Sequence, residues 1–430
     1  MKFVIIGLGT AGFAAMLAAK KTNPSIEITV IDPKEFDLLH VCGLPYGIGD
    51  ELELDSLKHN LGLQDMSVKK IKGNAKRIDT KAKLVEVDNG VKVGYDKLLI
   101  APGSSAFVPQ IPGAELVHTI TPLENAKKFY ESAKKAKHIA IIGAGAAGLE
   151  TAGALAKQGK EVAVVEMAPR LLPKMTDQDI SDLLKKKLEQ KAIKFHIPRG
   201  VEKIAKRYIV LEGGKTIKSD IVLMTAGARP NIDFLNKSGI LCDKAIIVNN
   251  NMQTNIPDVY AAGEVAQVKC LITGKPAPSA GAVPAYRQGT IAGINAAGGN
   301  ARYKGIIYTF VTMIDDIEFA SVGFNESLAK MYNIDCVFGR VKGTDSASWF
   351  PNAKDLIVKI LTEKKTGKII GAQAVGNDAA KRIEVVAAAI LAGLTLEDMQ
   401  NLELAYCPPV SDTYDVLLAA AEQALRKLKR

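Results

Sequence analysis

The feature that most constrains the fold is a strand–loop–helix unit that occurs twice in the 430-residue chain. The first copy runs from the apolar residues 3–6 through the loop 7–12 into an alanine-rich stretch, and the second repeats this order from residue 138. In a GxGxxG loop the first glycine permits a tight turn, the second admits a pyrophosphate, and the third lets helix and strand pack closely. Two such loops, starting 136 residues apart at Gly7 and Gly143, predict two related dinucleotide-binding domains.

An acidic residue ends the second strand of each unit. The predicted strand 26–31 leads into Asp32, and the predicted strand 161–165 leads into Glu166. A carboxylate at this point accepts hydrogen bonds from ribose hydroxyls, while the helix N-terminus receives the pyrophosphate. Glu166 would repel a 2′-phosphate, so NADH is predicted over NADPH, although Arg170 offers a nearby positive charge.

A single cysteine, Cys42, stands in the stretch 36–49 directly before Gly43, Leu44 and Pro45. Because proline is tolerated in the first helical turn, the sequence predicts a helix N-terminus at or just after Cys42. The partial positive charge of such a terminus favours a reactive thiolate. The alternative is a small buried thiol with a packing role.

Composition sets limits on the class of protein. Hydrophobic residues make up 47% and charged residues 24%, and no apolar run is long enough to span a membrane. No leader precedes the first strand, so a cytoplasmic protein is expected. Five scattered cysteines without CxxC spacing predict neither a disulfide framework nor a metal site. The net charge of +10 is spread along the chain, which argues against nucleic-acid binding and fits attraction of anionic nucleotides.

The runs 98–103 and 221–227 are each predicted as an apolar strand that leads into a turn, and in the run 254–264 an acid follows directly after a strand and a glycine. From Tyr303 onward the residue pattern changes to strand-like runs followed by helices, and no third glycine loop occurs. This predicts a separate domain. Its expected elements are strands at 355–360 and 367–375, a helix at 379–392 and a final helix at 414–429.

Together, the two glycine loops, the runs 98–103, 224–231 and 254–265 and the surroundings of Cys42 resemble the FAD-dependent pyridine nucleotide–disulfide oxidoreductases. Within them the chain is similar to the single-cysteine branch of coenzyme A-disulfide reductases, NADH oxidases and NADH peroxidases. The resemblance implies an α/β fold with two Rossmann-like domains, for FAD and NAD, plus an α+β C-terminal domain that forms a homodimer. The implied boundaries are 1–112 and 246–302 for a split FAD domain, 113–245 for the NAD(P)H domain and 303–430 for the dimerisation domain.

The resemblance also implies site residues. FAD would be held by Gly7, Gly9, Thr10, Ala11, Gly12, Asp32, Gly263 and Glu264. NADH would be held by Gly143, Gly145, Ala146, Ala147, Gly148, Glu150 and Glu166. Ala101, Gly103, Gly227 and Ala282 complete the cofactor-binding set. The implied catalytic residues are Cys42 and Tyr406, a tyrosine that in this family reaches the other subunit's active cysteine; the alternative for Tyr406 is a packed aromatic beside a Pro-Pro turn.

The chain departs from the family pattern at three places, and these bear on its branch, its flavin site and its substrate. Thr10 stands where oxidases and peroxidases carry a histidine, so acid–base help for oxygen chemistry is absent from this position. Glu264 is one methylene longer than the family's usual aspartate. The run 346–352 lacks the basic residue and the tyrosine pair that the family commonly shows there. Coenzyme A disulfide, a persulfide, a polysulfide or another small disulfide therefore all remain open as substrates.

The predicted reaction passes a hydride from NADH to FAD and electrons onward to oxidised Cys42. Because no second cysteine neighbours Cys42, its disulfide partner must arrive with the substrate. Two alternatives stay open: an NADH oxidase or peroxidase that cycles Cys42 through sulfenic acid, and an NADH-dependent electron donor to a small redox carrier or an NADH sensor. Cys407, next to Tyr406, could approach Cys42 of the other subunit.

Overall fold

The computed structural model describes all 430 residues and separates into two compact units. Unit 1 comprises Met1–Val41, Glu53–Ser105 and Ala228–Ile306, and unit 2 comprises Cys42–Leu52, Ala106–Gly227 and Ile307–Arg430. The α-helices are α1 (Thr10–Thr22), α2 (Leu44–Ile48), α3 (Leu123–Lys135), α4 (Ala146–Lys157), α5 (Gln178–Glu189), α6 (Ala282–Ala296), α7 (Glu326–Met331), α8 (Ala379–Ala392), α9 (Leu396–Gln400) and α10 (Val416–Leu428). None of these helices has the length and apolarity that a membrane crossing requires.

A five-stranded parallel sheet forms the centre of unit 1. The three central strands of this sheet are largely apolar and buried, as is typical of parallel sheets covered on both faces. Helices α1 and α6 pack on each other so closely that a Cβ at Gly289 would lie 2.1 Å from the Ala11 carbonyl oxygen. The strand order is Val259–Ala261, Lys97–Ile100, Lys2–Ile6, Glu27–Asp32 and Val68–Lys72.

Smaller strands complete unit 1. They form an antiparallel sheet of Ala75–Asp79, Leu84–Val87 and Lys92–Gly94, a mixed sheet of Ile246–Ile247, Ala266–Lys269 and Pro276–Pro278, and a short pair of Leu38–Leu39 with Lys58–His59. Two three-residue strands, Ser104–Ala106 and Ala228–Pro230, lie where the chain passes from one unit to the other.

Unit 2 contains a second parallel sheet built on the same plan. Its first strand, His138–Ile142, pairs on one side with Glu161–Val165, the strand that ends before Glu166, and on the other with Ile221–Met224, which precedes a glycine turn. In unit 1, Lys2–Ile6 is flanked in the same way by Glu27–Asp32 and Lys97–Ile100. Helix α4 packs on this sheet through Leu149 and Leu155, which are fully buried. The strand order is Ile193–His196, Glu161–Val165, His138–Ile142 and Ile221–Met224, and a small antiparallel sheet adds Val201–Ala205, Tyr208–Leu211 and Thr216–Lys218.

The C-terminal part of unit 2 is an antiparallel sheet covered by helices. Helices α8 and α10 pack on it, and a Cβ at Gly339 would lie 1.9 Å from the Ala420 carbonyl oxygen, so α10 lies directly on the edge strand. The strand order is Phe310–Ile314, Ile317–Gly323, Ile369–Gly376, Asp355–Glu363 and Cys336–Thr344. The predicted three-domain boundaries stay a prediction, because the structure groups the second parallel sheet and this sheet in one compact unit.

The predicted helices and strands are confirmed, with shifts at their ends. Helix α8 covers the predicted residues 379–392 and ends before Gly393, whose φ of +73° suits glycine. Helix α10 begins two residues later than predicted, because the Asp415 side chain accepts the Leu417 N–H and caps the helix there. Helix α1 begins at Thr10, directly behind Gly9 and still within the glycine loop 7–12.

Candidate functional site

The glycine loop of unit 1 is shaped by close backbone contacts around an open centre. Gly7 has a φ of +91°, and a Cβ there would lie 2.3 Å from the Ala101 carbonyl oxygen. A Cβ at Gly12 would lie 2.0 Å from the Gly7 carbonyl oxygen. A Cβ at Gly9, by contrast, would meet nothing within 4 Å. The fold therefore requires the first and third glycines, whereas the second leaves space for a ligand.

The glycine loop of unit 2 repeats this geometry. Gly143 has a φ of +113°, and a Cβ there would lie 2.5 Å from the Thr225 carbonyl oxygen. A Cβ at Gly148 would lie 2.2 Å from the Gly143 carbonyl oxygen, and a Cβ at Gly145 would meet nothing within 4 Å. Helices α1 and α4 start directly behind these loops, at Thr10-Ala11 and Ala146-Ala147, with no acidic residue in the first turn and no side-chain cap. Uncapped N–H groups at a helix start suit a pyrophosphate.

The two predicted ribose-binding acids also hold their loops in the same way. The buried Asp32 accepts the N–H of Leu8, in the first loop, at 2.7 Å. Glu166 accepts the N–H of Ala144, in the second loop, at 2.9 Å and the N–H of Ala168 at 2.7 Å. Each acid therefore lies directly beside its glycine loop, at the strand end that its place in the sequence indicates.

The charges beside these acids differ. The ammonium of Lys34 lies 2.6 Å from the Asp32 carboxylate. Arg170, predicted as a possible countercharge beside Glu166, instead donates to the Pro173 carbonyl at 3.1 Å and the Ser327 hydroxyl at 2.9 Å. This engagement of the Arg170 guanidinium favours the NADH prediction.

A second group of predicted FAD-binding residues meets the first loop at the same edge of the sheet. Gly263 has a φ of +82°, and its N–H donates to the amide oxygen of the fully buried Gln288 at 2.9 Å. A Cβ at Gly263 would lie 3.3 Å from the Ala11 Cβ, which places this turn beside the start of α1. Ala282 is the first residue of α6, and the buried Ala101 leads into Gly103, with a φ of +69°.

Glu264, the departure from the family pattern, has a partner that the sequence did not reveal. The Ser104 hydroxyl donates a hydrogen bond to its carboxylate. Ser104 follows the strand Lys97–Ile100 and Glu264 follows the strand Val259–Ala261, and these strands are parallel neighbours. Because the carboxyl ends of parallel strands meet at one edge, the two side chains come together at the predicted flavin side of unit 1.

Glu150 lies one turn into α4, where its carboxylate accepts the Thr312 hydroxyl at 2.6 Å. Burial raises the pKa of Glu150, and the Thr312 hydrogen bond only partly opposes this. Burial also raises the pKa of the Tyr46 hydroxyl, and the charges of Glu150, Glu51 and Cys42 raise it further. Tyr46 was not among the predicted site residues. Its position four residues after Cys42, one helical turn on, was the signal available in the sequence.

Cys42 is exposed and lies in a 3₁₀ turn, Val41–Gly43, directly before α2. Pro45 stands in the first turn of α2, so the predicted helix start is confirmed, although α2 is only five residues long. The segment Cys42–Leu52 belongs to unit 2, which also contains α4. Gly227, another of the predicted cofactor-binding residues, lies in unit 2 as well and has a φ of +123°.

Tyr406 lies in the long loop before α10 and its side chain is 48% exposed. The loop is held by Ser411, whose Oγ donates to the Ala405 carbonyl at 2.8 Å and accepts the Cys407 N–H at 3.4 Å. The Pro408 carbonyl accepts the Ala347 N–H at 3.0 Å, which ties this loop to the run 346–352. Tyr406 is therefore an accessible phenol in the single chain, and both its catalytic role and the alternative of a packed aromatic stay predictions.

The chain matches the family model of the pyridine nucleotide-disulphide oxidoreductases over residues 1–297 and the model of their dimerisation domain over residues 309–417. The chain belongs to this family. Membership confirms the predicted family, the α/β fold class and the enzyme class, an oxidoreductase with FAD and a nicotinamide nucleotide as cofactors.

Individual relatives fall into the groups that the sequence suggested. The chain is 34% identical to an NADH oxidase of Methanocaldococcus jannaschii, covering 100% of this chain and 99% of the relative. It is 31% identical to an NAD(P)H coenzyme A polysulfide/persulfide reductase of Pyrococcus horikoshii, covering 98% and 97%. Among solved structures, an NAD-dependent persulfide reductase from A. fulgidus superposes with a TM-score of 0.95 at 33% identity, covering 100% of this chain and 84% of that one.

Proposed function

We propose that this chain is an NADH-dependent flavoprotein that reduces a low-molecular-weight disulfide, persulfide or polysulfide through Cys42. The observation that carries the proposal is the placement of Cys42 as an exposed thiol at the start of α2, in the same compact unit as the nucleotide loop of α4. The names of the Pyrococcus and A. fulgidus relatives support a sulfur substrate.

The cofactor residues of the proposal follow the two loops. In unit 1, Gly9 and the N–H groups of Thr10 and Ala11 would hold the FAD pyrophosphate, Asp32 the adenosine ribose, and Gly263 with Glu264 the ribityl chain. In unit 2, Gly145 and the N–H groups of Ala146 and Ala147 would hold the NADH pyrophosphate, and Glu166 its ribose. The open space at Gly9 and Gly145, where a Cβ would meet nothing, is what each pyrophosphate requires.

In the proposed reaction the Cys42 thiolate attacks one sulfur of the substrate disulfide, a new S–S bond forms, and the other sulfur leaves as a thiolate. Bound FAD supplies the two-electron relay between NADH and sulfur. Two electrons then cleave the mixed disulfide and regenerate the Cys42 thiolate. The balance is NADH, one proton and one disulfide giving NAD⁺ and two thiols; a persulfide gives one thiol and hydrogen sulfide.

Tyr406 is the proposed proton donor to the leaving thiolate, contributed by a second copy of the chain. The matched dimerisation domain supports a dimer, and the exposed phenol on an anchored loop supports a positioned donor. We also propose the cytoplasm as the compartment, because five scattered cysteines without paired spacing suit a reducing environment.

An NADH oxidase that cycles Cys42 through sulfenic acid is the second candidate, favoured by the Methanocaldococcus relative. Thr10 argues against it, because a threonine hydroxyl does not replace an imidazole as an acid–base group near neutral pH.

The deciding experiment measures anaerobic NADH oxidation by the FAD-loaded enzyme with coenzyme A disulfide, polysulfide or hydrogen peroxide as separate acceptors. We expect turnover with a sulfur acceptor, and Cys42→Ser should abolish it while flavin reduction by NADH continues. Cys242→Ser, at another exposed cysteine, is the matched control and should keep activity. Turnover with peroxide alone, or unchanged sulfur reduction in Cys42→Ser, overturns the proposal.

A further inference from the structure

The segment that follows Cys42 is anchored by polar contacts to two helices of unit 2. The side-chain amide of Gln158, the residue that caps the end of α4, donates to the Ile48 carbonyl at 3.2 Å and to the Asp50 carboxylate at 2.8 Å. The Tyr130 hydroxyl, on α3, donates to the other oxygen of the Asp50 carboxylate at 2.5 Å. Asp50 itself has a φ of +61°, so the chain turns sharply at this residue.

Packing reinforces the polar anchor. Ile48 is 1% exposed and belongs to the same hydrophobic core as Phe129 of α3 and Leu155 of α4. A Cβ at Gly49 would lie only 2.7 Å from the Ala154 Cβ, so the end of α2 lies directly on α4. The C-terminal end of α2 is thus fixed to α4 and α3.

The N-terminal end of α2 carries Cys42, and α2 is too short to hold its own shape in water. Cys42 lies six residues before Ile48, which is about 9 Å at the rise of an α-helix. Because the helix end leaves backbone carbonyls without helical partners, the Gln158 amide satisfies one of them and fixes the direction in which the short helix points. Helix α4 begins at the second glycine loop, so a single rigid element joins the nucleotide loop to this anchor.

We infer that Gln158 and Asp50 are positioning residues that set the place of the Cys42 sulfur for the sulfur-reducing half of the reaction. This inference rests on the proposed role of Cys42. Neither residue is assigned to cofactor or substrate; they act through α2. The effects on the two steps of the reaction can be measured separately, because a disturbed anchor slows the step at Cys42 and leaves the step at the nucleotide loop intact.

Gln158→Glu is the sharpest single change, because it keeps the size of the side chain and sets two carboxylates against each other. Adding Asp50→Asn to this variant restores a hydrogen bond between an amide and a carboxylate, with the amide now at position 50 and the carboxylate at position 158. Glu131→Ala, next to Tyr130 on α3 but paired with Lys134 at the surface, is the matched control. Each holoenzyme is studied by stopped flow in two half-reactions: flavin reduction by NADH, and anaerobic reoxidation of the reduced enzyme by coenzyme A disulfide.

We expect Gln158→Glu to slow reoxidation about tenfold, since small displacements of a reacting group have effects of this size or larger. Its flavin reduction should stay at the wild-type rate. Adding Asp50→Asn should restore part of the reoxidation rate, because it removes the facing carboxylate while the introduced glutamate still cannot donate to the Ile48 carbonyl. Alkylation of the Cys42 peptide by iodoacetamide, followed by mass spectrometry across pH, should show a changed profile in Gln158→Glu and a wild-type profile in Glu131→Ala.

The inference is overturned if Gln158→Glu matches Glu131→Ala in reoxidation, if it slows both half-reactions equally, or if Asp50→Asn fails to rescue it. The proposed function fails by a different result: a Cys42→Ser enzyme that is reoxidised by coenzyme A disulfide at the wild-type rate. The two failures are therefore distinguishable with one set of proteins.

Discussion

The Ser104 hydroxyl donates a hydrogen bond to the Glu264 carboxylate, although the two residues are 160 positions apart in the chain. The carboxylate of Glu264 reaches one methylene further than the aspartate usual in this family. The serine at the end of the neighbouring strand gives that longer side chain a fixed place. The pair therefore compensates for the departure and keeps the predicted flavin side of unit 1 ordered.

Removing the hydroxyl should weaken FAD binding. Hydrogen bonds to charged groups contribute about 1.5–3 kcal/mol to stability. Because the pair acts on the ligand only by fixing the Glu264 side chain, Ser104→Ala should raise the Kd of the apoprotein for FAD by up to about tenfold. Quenching of FAD fluorescence on binding measures this. Ser105→Ala is the control, because the Ser105 hydroxyl donates to Asn231 instead and should leave the Kd unchanged. Equal affinities in the two variants would show that the Ser104–Glu264 pair has no role at the flavin.

Two glycines of the second loop should respond differently to alanine. Gly145→Ala places a Cβ in open space, so the free energy of unfolding should stay near the wild-type value while NADH binding falls. Gly148→Ala places a Cβ 2.2 Å from the Gly143 carbonyl oxygen, so unit 2 itself should lose stability. Thermal unfolding without nucleotide, with NAD⁺ titration alongside, separates the effects. Loss of stability in Gly145→Ala would contradict the open site.

Glu166 should control the choice between NADH and NADPH. Its carboxylate is held by the Ala144 and Ala168 N–H groups, so its negative charge stays where a 2′-phosphate would lie. Glu166→Ser should raise kcat/KM for NADPH about tenfold, a change of about 1.4 kcal/mol in transition-state stabilisation, and lower it for NADH. Steady-state kinetics with both nucleotides test this, and an unchanged ratio of the two kcat/KM values would refute it.

Much of this fold could be predicted because its signals are local. Gly7 and Gly12 follow an apolar strand and precede an alanine-rich helix, and the backbone contacts that exclude a Cβ there recur wherever that unit folds. The partnerships of Gln158 with Asp50 and of Ser104 with Glu264 could not be predicted in this way. They join residues 108 and 160 positions apart, and which residues meet depends on how the sheets and helices assemble.

Glu150 should make stability depend on pH. Burial raises the pKa of Glu150 in the folded chain above its unfolded value, so the folded state holds a proton that the unfolded state has lost. Stability from this group is fully present below the unfolded pKa and declines as pH rises toward the folded pKa. Glu150→Gln, which keeps a partner for Thr312, should remove that decline. Urea unfolding of both proteins across pH, without nucleotide, tests this; parallel curves would contradict it.

A buried lysine holds three carboxylates together in unit 2. The ammonium of Lys359 is 1% exposed, lies 3.0 Å from both Asp177 and Asp179, and contacts Glu326. Burial lowers the pKa of Lys359, but the three carboxylates outweigh it and raise the pKa overall. Their oxygens lie within 4.8 Å of one another, so without the lysine they would repel.

Lys359→Met should therefore destabilise the protein by an amount near the lower end of the about 3–5 kcal/mol that removing one partner of a buried ion pair costs, because the side chains of Asp179 and Glu326 are 30% and 44% exposed and partly screened by solvent. Lys342→Met, at an exposed pair with Asp355, is the matched control and should cost about 0–1 kcal/mol. Without the lysine the clustered negative charges repel one another, so the deficit of Lys359→Met should shrink toward acidic pH, where this repulsion weakens. Urea unfolding of both variants at neutral and acidic pH measures this. A deficit as small as that of Lys342→Met, or one that grows toward acid, would show that Lys359 does not neutralise the cluster.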